Sequence, residues 1–136
     1  MRETMSAATA RIMVYSDDRT VREQVRVALG KTLAGRELDL VDIATGPAAI
    51  NAMDTSEFDL LILDGEAVPY GGMGLCHQLK SEFEDCPPVL ILLARVADAW
   101  LGTWSEAEAM APYPLDPVAL PQQVAGLLGV KEAAQA

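Results

Sequence analysis

The sequence predicts an α/β domain: five parallel strands in one doubly wound sheet, order 2-1-3-4-5, with a helix after each strand. Three observations predict it. Two short runs, 60–63 and 89–93, are apolar without alternation, as strands buried on both faces are. Strand-like and helix-like segments alternate five times along 136 residues, with short connections between them. The second strand-like segment alternates and the fifth carries a proline, which places those two at the sheet edges.

Residues 11–16 form the first apolar run, which ends in Ser16, Asp17 and Asp18. Val21, Val25, Ala28 and Leu29 then fall at helical spacing. Asp17 or Asp18 can cap that helix, and Gly30 lies near its end. Residues 31–37 read as a polar connection. Residues 38–43 alternate, as a strand with one more exposed face does. Thr45, Gly46 and Pro47 open a helix, with a hydroxyl cap and a proline whose missing N–H costs nothing in the first turn. Its small-residue face is Ala48, Ala49, Ala52 and Met53.

Residues 59–64, Asp-Leu-Leu-Ile-Leu-Asp, form the central strand. The loop 66–74 holds Pro69 and Gly71, Gly72 and Gly74. Leu75, Leu79 and Phe83 mark the next helix face, and Pro87-Pro88 ends the segment. After the buried strand 89–93, a helix is predicted over 97–107, with Val96, Trp100, Leu101 and Trp104 on one stripe. Residues 109–113 are a weak edge strand because Pro112 lacks a ladder donor. Asp116 and Pro117 open the last helix, with Leu120, Val124, Leu127 and Leu128 inward. Pro121 makes its first turn irregular or delays its regular start. The expected organisation is a flexible leader at 1–10, a single domain at 11–130 and a short tail at 131–136.

Composition narrows the function. A formal net charge of −10 argues against nucleic acid, whose binding needs Lys and Arg to displace counterions, and against anionic membrane surfaces. The longest apolar run, 89–94, is too short to span a bilayer. Residues 1–10 lack a signal-peptide core. Cys76 and Cys86 have no Cys-x-x-Cys spacing and read as reduced thiols. The expectation is a cytoplasmic domain with neither nucleic-acid binding nor membrane insertion.

Asp64 ends the central strand, where ligands gather in open parallel sheets. The expected strand order brings Ser16, Asp17 and Asp18 beside it. Clustered carboxylates repel, and Mg²⁺ is the usual remedy, bound through one or two carboxylates plus waters and a phosphate. An exposed aspartate beside such a metal can take a phosphoryl group as a nucleophile. The structural reading of Asp17 or Asp18 is a helix cap, which leaves the other free for metal.

Over 11–128 the chain resembles a response-regulator receiver domain, a flavodoxin-like fold. The resemblance is carried by Ile12-Met-Val-Tyr-Ser-Asp-Asp18 with Arg22, by Ala44-Thr-Gly-Pro47 and by Asp59-Leu-Leu-Ile-Leu-Asp64. It continues, in family order, through the proline and glycines of the next loop, where Pro69 comes one residue late, and through Pro88-Val-Leu-Ile-Leu-Leu-Ala-Arg95 and Pro114-Leu-Asp-Pro117. It implies that Asp64 stands at the phosphoacceptor position and Glu66 at the position whose backbone carbonyl helps hold Mg²⁺. Asp17 resembles the second acid of the metal pair. Ser16 replaces the first, and Asp18, one residue late, could substitute through water.

The departures are larger elsewhere. The family's Thr or Ser falls on Leu93, with Ala94 beside it, and neither has a hydroxyl. The family's Lys falls on Tyr113, ahead of the expected cis-proline Pro114. Its switch aromatic falls near Met110. Phosphoryl transfer depends on electrostatic stabilisation by metal and cation. The resemblance with these losses implies an atypical, stand-alone receiver that signals by protein contact, is not switched by phosphorylation and is not an enzyme. Its cofactor would be none, or Mg²⁺ bound weakly. Its partner would be a histidine kinase or a downstream effector. A homodimer would use the face formed by helix 97–107, strand 109–113 and the last helix. The alternative is a phosphorylatable single-domain receiver using Asp64 and Mg²⁺. A flavin carrier or enzyme on the same fold ranks last, because Asp17 and Asp18 put negative charge where a phosphate would sit.

The remaining candidates have plain readings. His77 is a surface histidine with no second ligand four residues on, and Cys86 a loop thiol. Trp100 and Trp104 pack on the sheet, unless one is exposed as an interface anchor. The glycines of 71–74 resemble a phosphate cradle weakly and a flexible loop better. Tyr113 fills the vacated lysine position and covers Asp64, with its hydroxyl within reach of a carboxylate.

Overall fold

The computed structural model describes residues 9–95, 100 and 104–135, with side chains through Gly129. The elements run β1 (Thr9–Tyr15), α1 (Arg19–Leu29), β2 (Thr32–Leu33), β3 (Arg36–Ile43), α2 (Gly46–Thr55), β4 (Leu60–Asp64), α3 (Gly72–Glu82), β5 (Val89–Leu93), β6 (Ala109–Pro112) and α4 (Ala119–Gln135). One sheet has the order β2-β3-β1-β4-β5-β6. All neighbours are parallel except β2 and β3. The five parallel strands keep the expected order.

The sixth strand corrects the reading of 31–37 as a plain connection. Thr32 pairs with Glu37 and Leu33 with Arg36, across a two-residue turn in which Ala34 and Gly35 both have positive φ (52° and 79°). That is the backbone a tight hairpin needs, but Asn-Gly or Asp-Gly would announce it and Ala-Gly does not. β2 therefore covers part of what would otherwise be the β3 edge. At the other edge lies β6, ending at Pro112, as its proline requires.

Successive residues of the inner strands point to opposite faces. Ile12, Val14, Leu60, Ile62, Leu90 and Leu92 pack under α1 and α4 with Val25, Leu29, Leu120, Val124 and Leu128. Met13, Tyr15, Leu61, Leu63, Ile91 and Leu93 pack under α2 and α3 with Ala49, Leu75, Cys76 and Leu79. Both β4 and β5 are buried along their full length. Each fully buried Leu or Ile contributes about 1.5–3 kcal/mol over exposure. The central pair therefore fixes the register that carries Asp64 to the sheet rim.

The caps follow the sequence. Asp18 accepts from Thr20 N–H at 2.8 Å, and Thr45 accepts from Ala48 N–H at 3.2 Å. Asp116 Oδ1 accepts from Val118 and Ala119 N–H, and the regular α4 starts late, at Ala119. Pro121 then sits in the first turn, among N–H groups with no intrahelical acceptor. The predicted helix 97–107 lies mostly outside the described residues, as do Val96 and Leu101. Trp100 and Trp104 are 66% and 51% exposed, so neither packs on the sheet. Trp104 instead stacks on His77, with ring centroids 4.3 Å apart.

Candidate functional site

Asp64 ends β4 and is 2% exposed. Burying a carboxylate is costly unless its oxygens are satisfied, and three donors satisfy this one. Ser16 Oγ donates to Oδ2 at 2.7 Å, while Tyr113 O–H and Glu66 N–H both donate to Oδ1 at 2.9 Å. All three donors are neutral. The elements bring them together for plain reasons. Ser16 follows β1, which pairs with β4 on one side. Tyr113 follows β6, and its N–H donates to Leu93 O at 2.8 Å, continuing the sheet past β6. The Tyr113–Pro114 bond is cis.

Tyr113 thus occupies the place the resemblance gives to lysine, and its hydroxyl meets Asp64. Burial, and then the charge of Asp64, push its phenol well above the ordinary 10.0. It remains a neutral donor at physiological pH. Burial also raises the Tyr15 phenol, helped by Asp17 and Asp64.

Ser16 is fully buried, and its hydroxyl also accepts from Asp18 N–H at 3.0 Å. The Ser16 carbonyl accepts from Arg22 Nη1 at 2.7 Å. Arg22 also faces Asp42 at 3.6 Å. The Arg22 guanidinium therefore supports the backbone under Ser16.

Asp17 and Asp18, the carboxylates expected to hold Mg²⁺, and the side chain of Glu66, whose backbone carbonyl was the expected ligand, each accept from an amide. Asp18 caps α1, as above. Asp17 Oδ1 accepts from Val68 N–H at 3.2 Å. The Glu66 carboxylate accepts from Ala94 N–H at 3.2 Å. Mg²⁺ demands near-octahedral oxygen ligation at about 2.0–2.1 Å. Among the described residues no group of three or more His, Cys, Asp or Glu is arranged to hold a metal ion. This donor set, with Ser16 in the place of an acid and each carboxylate on an amide, does not fit Mg²⁺.

The positions where the sequence departs from the resemblance fall as follows. Leu93 is buried among the α2–α3 side residues, and Ala94 is exposed with its N–H on Glu66. Met110 is half-buried against the same cluster, and its carbonyl accepts from Gln123 at 3.0 Å. Pro114 lines a shallow groove between α1 and the segment 113–117.

The glycines of the loop after β4 provide close approach rather than freedom, which corrects the reading of a flexible loop. A Cβ on Gly72 would lie 2.6 Å from Asp64 O, and one on Gly65 would lie 2.7 Å from Leu92 O. Cβ atoms on Gly46 and Gly74 would meet the Tyr70 ring at 2.4 and 3.2 Å. Tyr70 is therefore seated between the starts of α2 and α3. Its carbonyl accepts from the Tyr15 hydroxyl, and its own hydroxyl donates to Gln78. Sequence reasoning missed Tyr15 and Tyr70. The available signal was a polar-tipped aromatic ending a buried strand and another set among glycines, since buried tyrosines seek a partner for their hydroxyl.

Fold and site together define a receiver-type signalling domain with a buried aspartate at the carboxyl end of its central strand. The chain is 51% identical over 125 residues to an uncharacterised response regulatory protein of Mycobacterium tuberculosis, covering 90% of this chain and 94% of that one. It is 32% identical over 108 residues to the response regulator MprA of Mycobacterium bovis, of which it spans 45%. The fold is that of a Francisella response regulator receiver domain (TM-score 0.76, 20% identity, 88% of this chain and 97% of that one). It is also that of a CheY-like receiver domain protein from Methanospirillum hungatei (TM-score 0.75, 17% identity, 93% and 98%). No family model matches the sequence. The chain belongs to the response-regulator receiver family and is a signal-transduction domain.

Proposed function

We propose that this receiver signals by protein contact and is not switched by phosphorylation of Asp64. The observation that carries this reading is the occupancy of Asp64, whose two oxygens hold three neutral donors where phosphoryl transfer would need a cation and a metal. A phosphoryl group on Oδ1 must displace Tyr113, which stands where the resemblance places an ammonium. Removing one well-placed electrostatic donor costs about 2.7–4 kcal/mol in a transition state. Leu93 and Ala94 offer no hydroxyl to follow a phosphoryl group and move β5. The partner is a protein, either a histidine kinase or a downstream effector, met in the cytoplasm. Among the described residues no helix is long and apolar enough to cross a membrane.

Incubation with acetyl phosphate and Mg²⁺, read by intact mass, tests the reading. The expected result is no stoichiometric phosphorylated species. Ready and complete labelling at Asp64 would instead establish the alternative, a phosphorylatable receiver. That alternative draws its support from Asp64 itself, which keeps its place at the end of β4.

A further inference from the structure

We infer that the acids rimming Asp64 are amide clamps, and that Asp17 and Glu66 are positioning residues which fasten the loop after β4 without any cation. This deepens the reading above, on which it rests for the receiver's being fixed in one state. Two bonds carry it. Asp17, just past β1, accepts from Val68 N–H at 3.2 Å. Glu66, two residues past β4, accepts from Ala94 N–H at 3.2 Å, the first amide beyond β5. The loop that leaves Asp64 is thereby tied on one side to β1 and on the other to β5.

Further bonds set the loop's path between the two clamps. Glu66 N–H holds Asp64 Oδ1 at 2.9 Å, and Ala67 N–H holds Asp64 O at 3.2 Å. The Tyr15 hydroxyl holds the Tyr70 carbonyl. Carboxylates left bare at such a rim would repel one another and recruit a divalent ion. Backbone N–H groups instead take up their lone pairs, as they do at a helix cap. A cation that took Asp17 Oδ1 or the bonded oxygen of the Glu66 carboxylate would compete with an existing bond. The surface around Asp64, including exposed Val68, is therefore presented to a partner in one arrangement whatever the Mg²⁺ supply.

Amide hydrogen exchange at Val68 and Ala94, with melting temperatures in EDTA and in millimolar Mg²⁺, tests this on the full chain. The wild type should melt at the same temperature in both. Asp17→Ala should speed exchange at Val68 about tenfold, and Glu66→Ala should do so at Ala94, each leaving the other amide unchanged. Asp17→Asn and Glu66→Gln keep a neutral oxygen at the same reach and should stay within about threefold of wild type. Glu66→Asp keeps the charge but loses the reach, and should behave like Glu66→Ala.

The inference is overturned if Mg²⁺ raises the wild-type melting temperature and Asp17→Asn abolishes that rise. It is overturned equally if neither alanine variant changes exchange at its own amide. Phosphate labelling of Asp64 in the same samples is read separately by mass. Labelling with Val68 and Ala94 still protected would defeat the preceding proposal and leave the clamps standing.

Discussion

At the amino end of the sheet Arg11 meets Asp39 at 3.2 Å, Arg36 lies 3.9 Å from Asp59, and Lys80 meets Glu108 at 2.8 Å. At the carboxyl end Asp64 meets a serine, a tyrosine and an amide, and Asp17 and Glu66 meet amides. Asp64, Asp17 and Glu66 thus have neutral partners where the amino-end acids have cations, while Asp42, near the carboxyl end of β3, keeps Arg22 and Arg26. The difference teaches where stability and chemistry reside. The amino-end pairs are partly exposed, and such pairs are worth about 0–1 kcal/mol. Asp64 is buried, so each of its donors matters more, because a buried acceptor left unsatisfied costs about 1–3 kcal/mol.

The largest effect expected falls where the carboxyl end is packed most tightly. Gly72→Ala puts a Cβ against the Asp64 backbone and should destabilise by about 3 kcal/mol, near the top of the usual overpacking range. Gly126→Ala, in the α4 interior with open space around it, should stabilise by about 1 kcal/mol. Denaturant unfolding checks both, and equal effects would remove the claim that the α3 glycines serve close approach.

Next come the donors to Asp64. Tyr113→Phe and Ser16→Ala should each cost about 2 kcal/mol, with non-additivity in the double variant, because both bonds end on one carboxylate. If either costs no more than Arg11→Ala, the contrast between the two ends fails.

A pH effect sharpens the same contrast. The Tyr113 phenol is raised in the folded protein, so its contribution is fully present below its ordinary pKa of 10.0. Stability is then lost as pH rises above that value, because the unfolded chain releases the proton first. Chemical denaturation at alkaline pH should show this decline, and Tyr113→Phe should lessen it, leaving the part owed to Tyr15, Tyr70, Cys76 and Cys86, which burial also raises. The smallest effect belongs to the amino end. Arg11→Ala should cost about 0.5–1 kcal/mol, including its approach over the Phe58 ring, and most of that should vanish at high salt.

The parallel order was legible because β4 and β5 are apolar throughout, β3 alternates and β6 carries proline. The helix caps at Thr45 and Asp116, and at one of the two acids Asp17 and Asp18, were legible because capping is local chemistry; the structure selects Asp18. The Tyr113 contact with Asp64 was legible once strand order and the family register were combined. The β2 hairpin was not, because Ala34 adopts positive φ without the usual turn residues. The glycines at 71–74 were misread for a related reason. Sequence reports that a side chain is missing but not which neighbour occupies the space, and here the neighbours are Asp64 backbone and Tyr70.

By itself the sequence determined the layered α/β architecture, the place of Asp64 at the strand end, and the loss of hydroxyl and lysine at Leu93 and Tyr113. The first two follow from periodicity and residue chemistry along the chain; the third is what the family resemblance implies. Only the tertiary structure decided the partners of the rim acids. Asp17 finds Val68 fifty-one residues away and Glu66 finds Ala94 twenty-eight residues away. A carboxylate accepts equally well from a metal-bound water, a cation or an amide, so which of these it meets depends on how the loop after β4 is folded back, and that is set by packing.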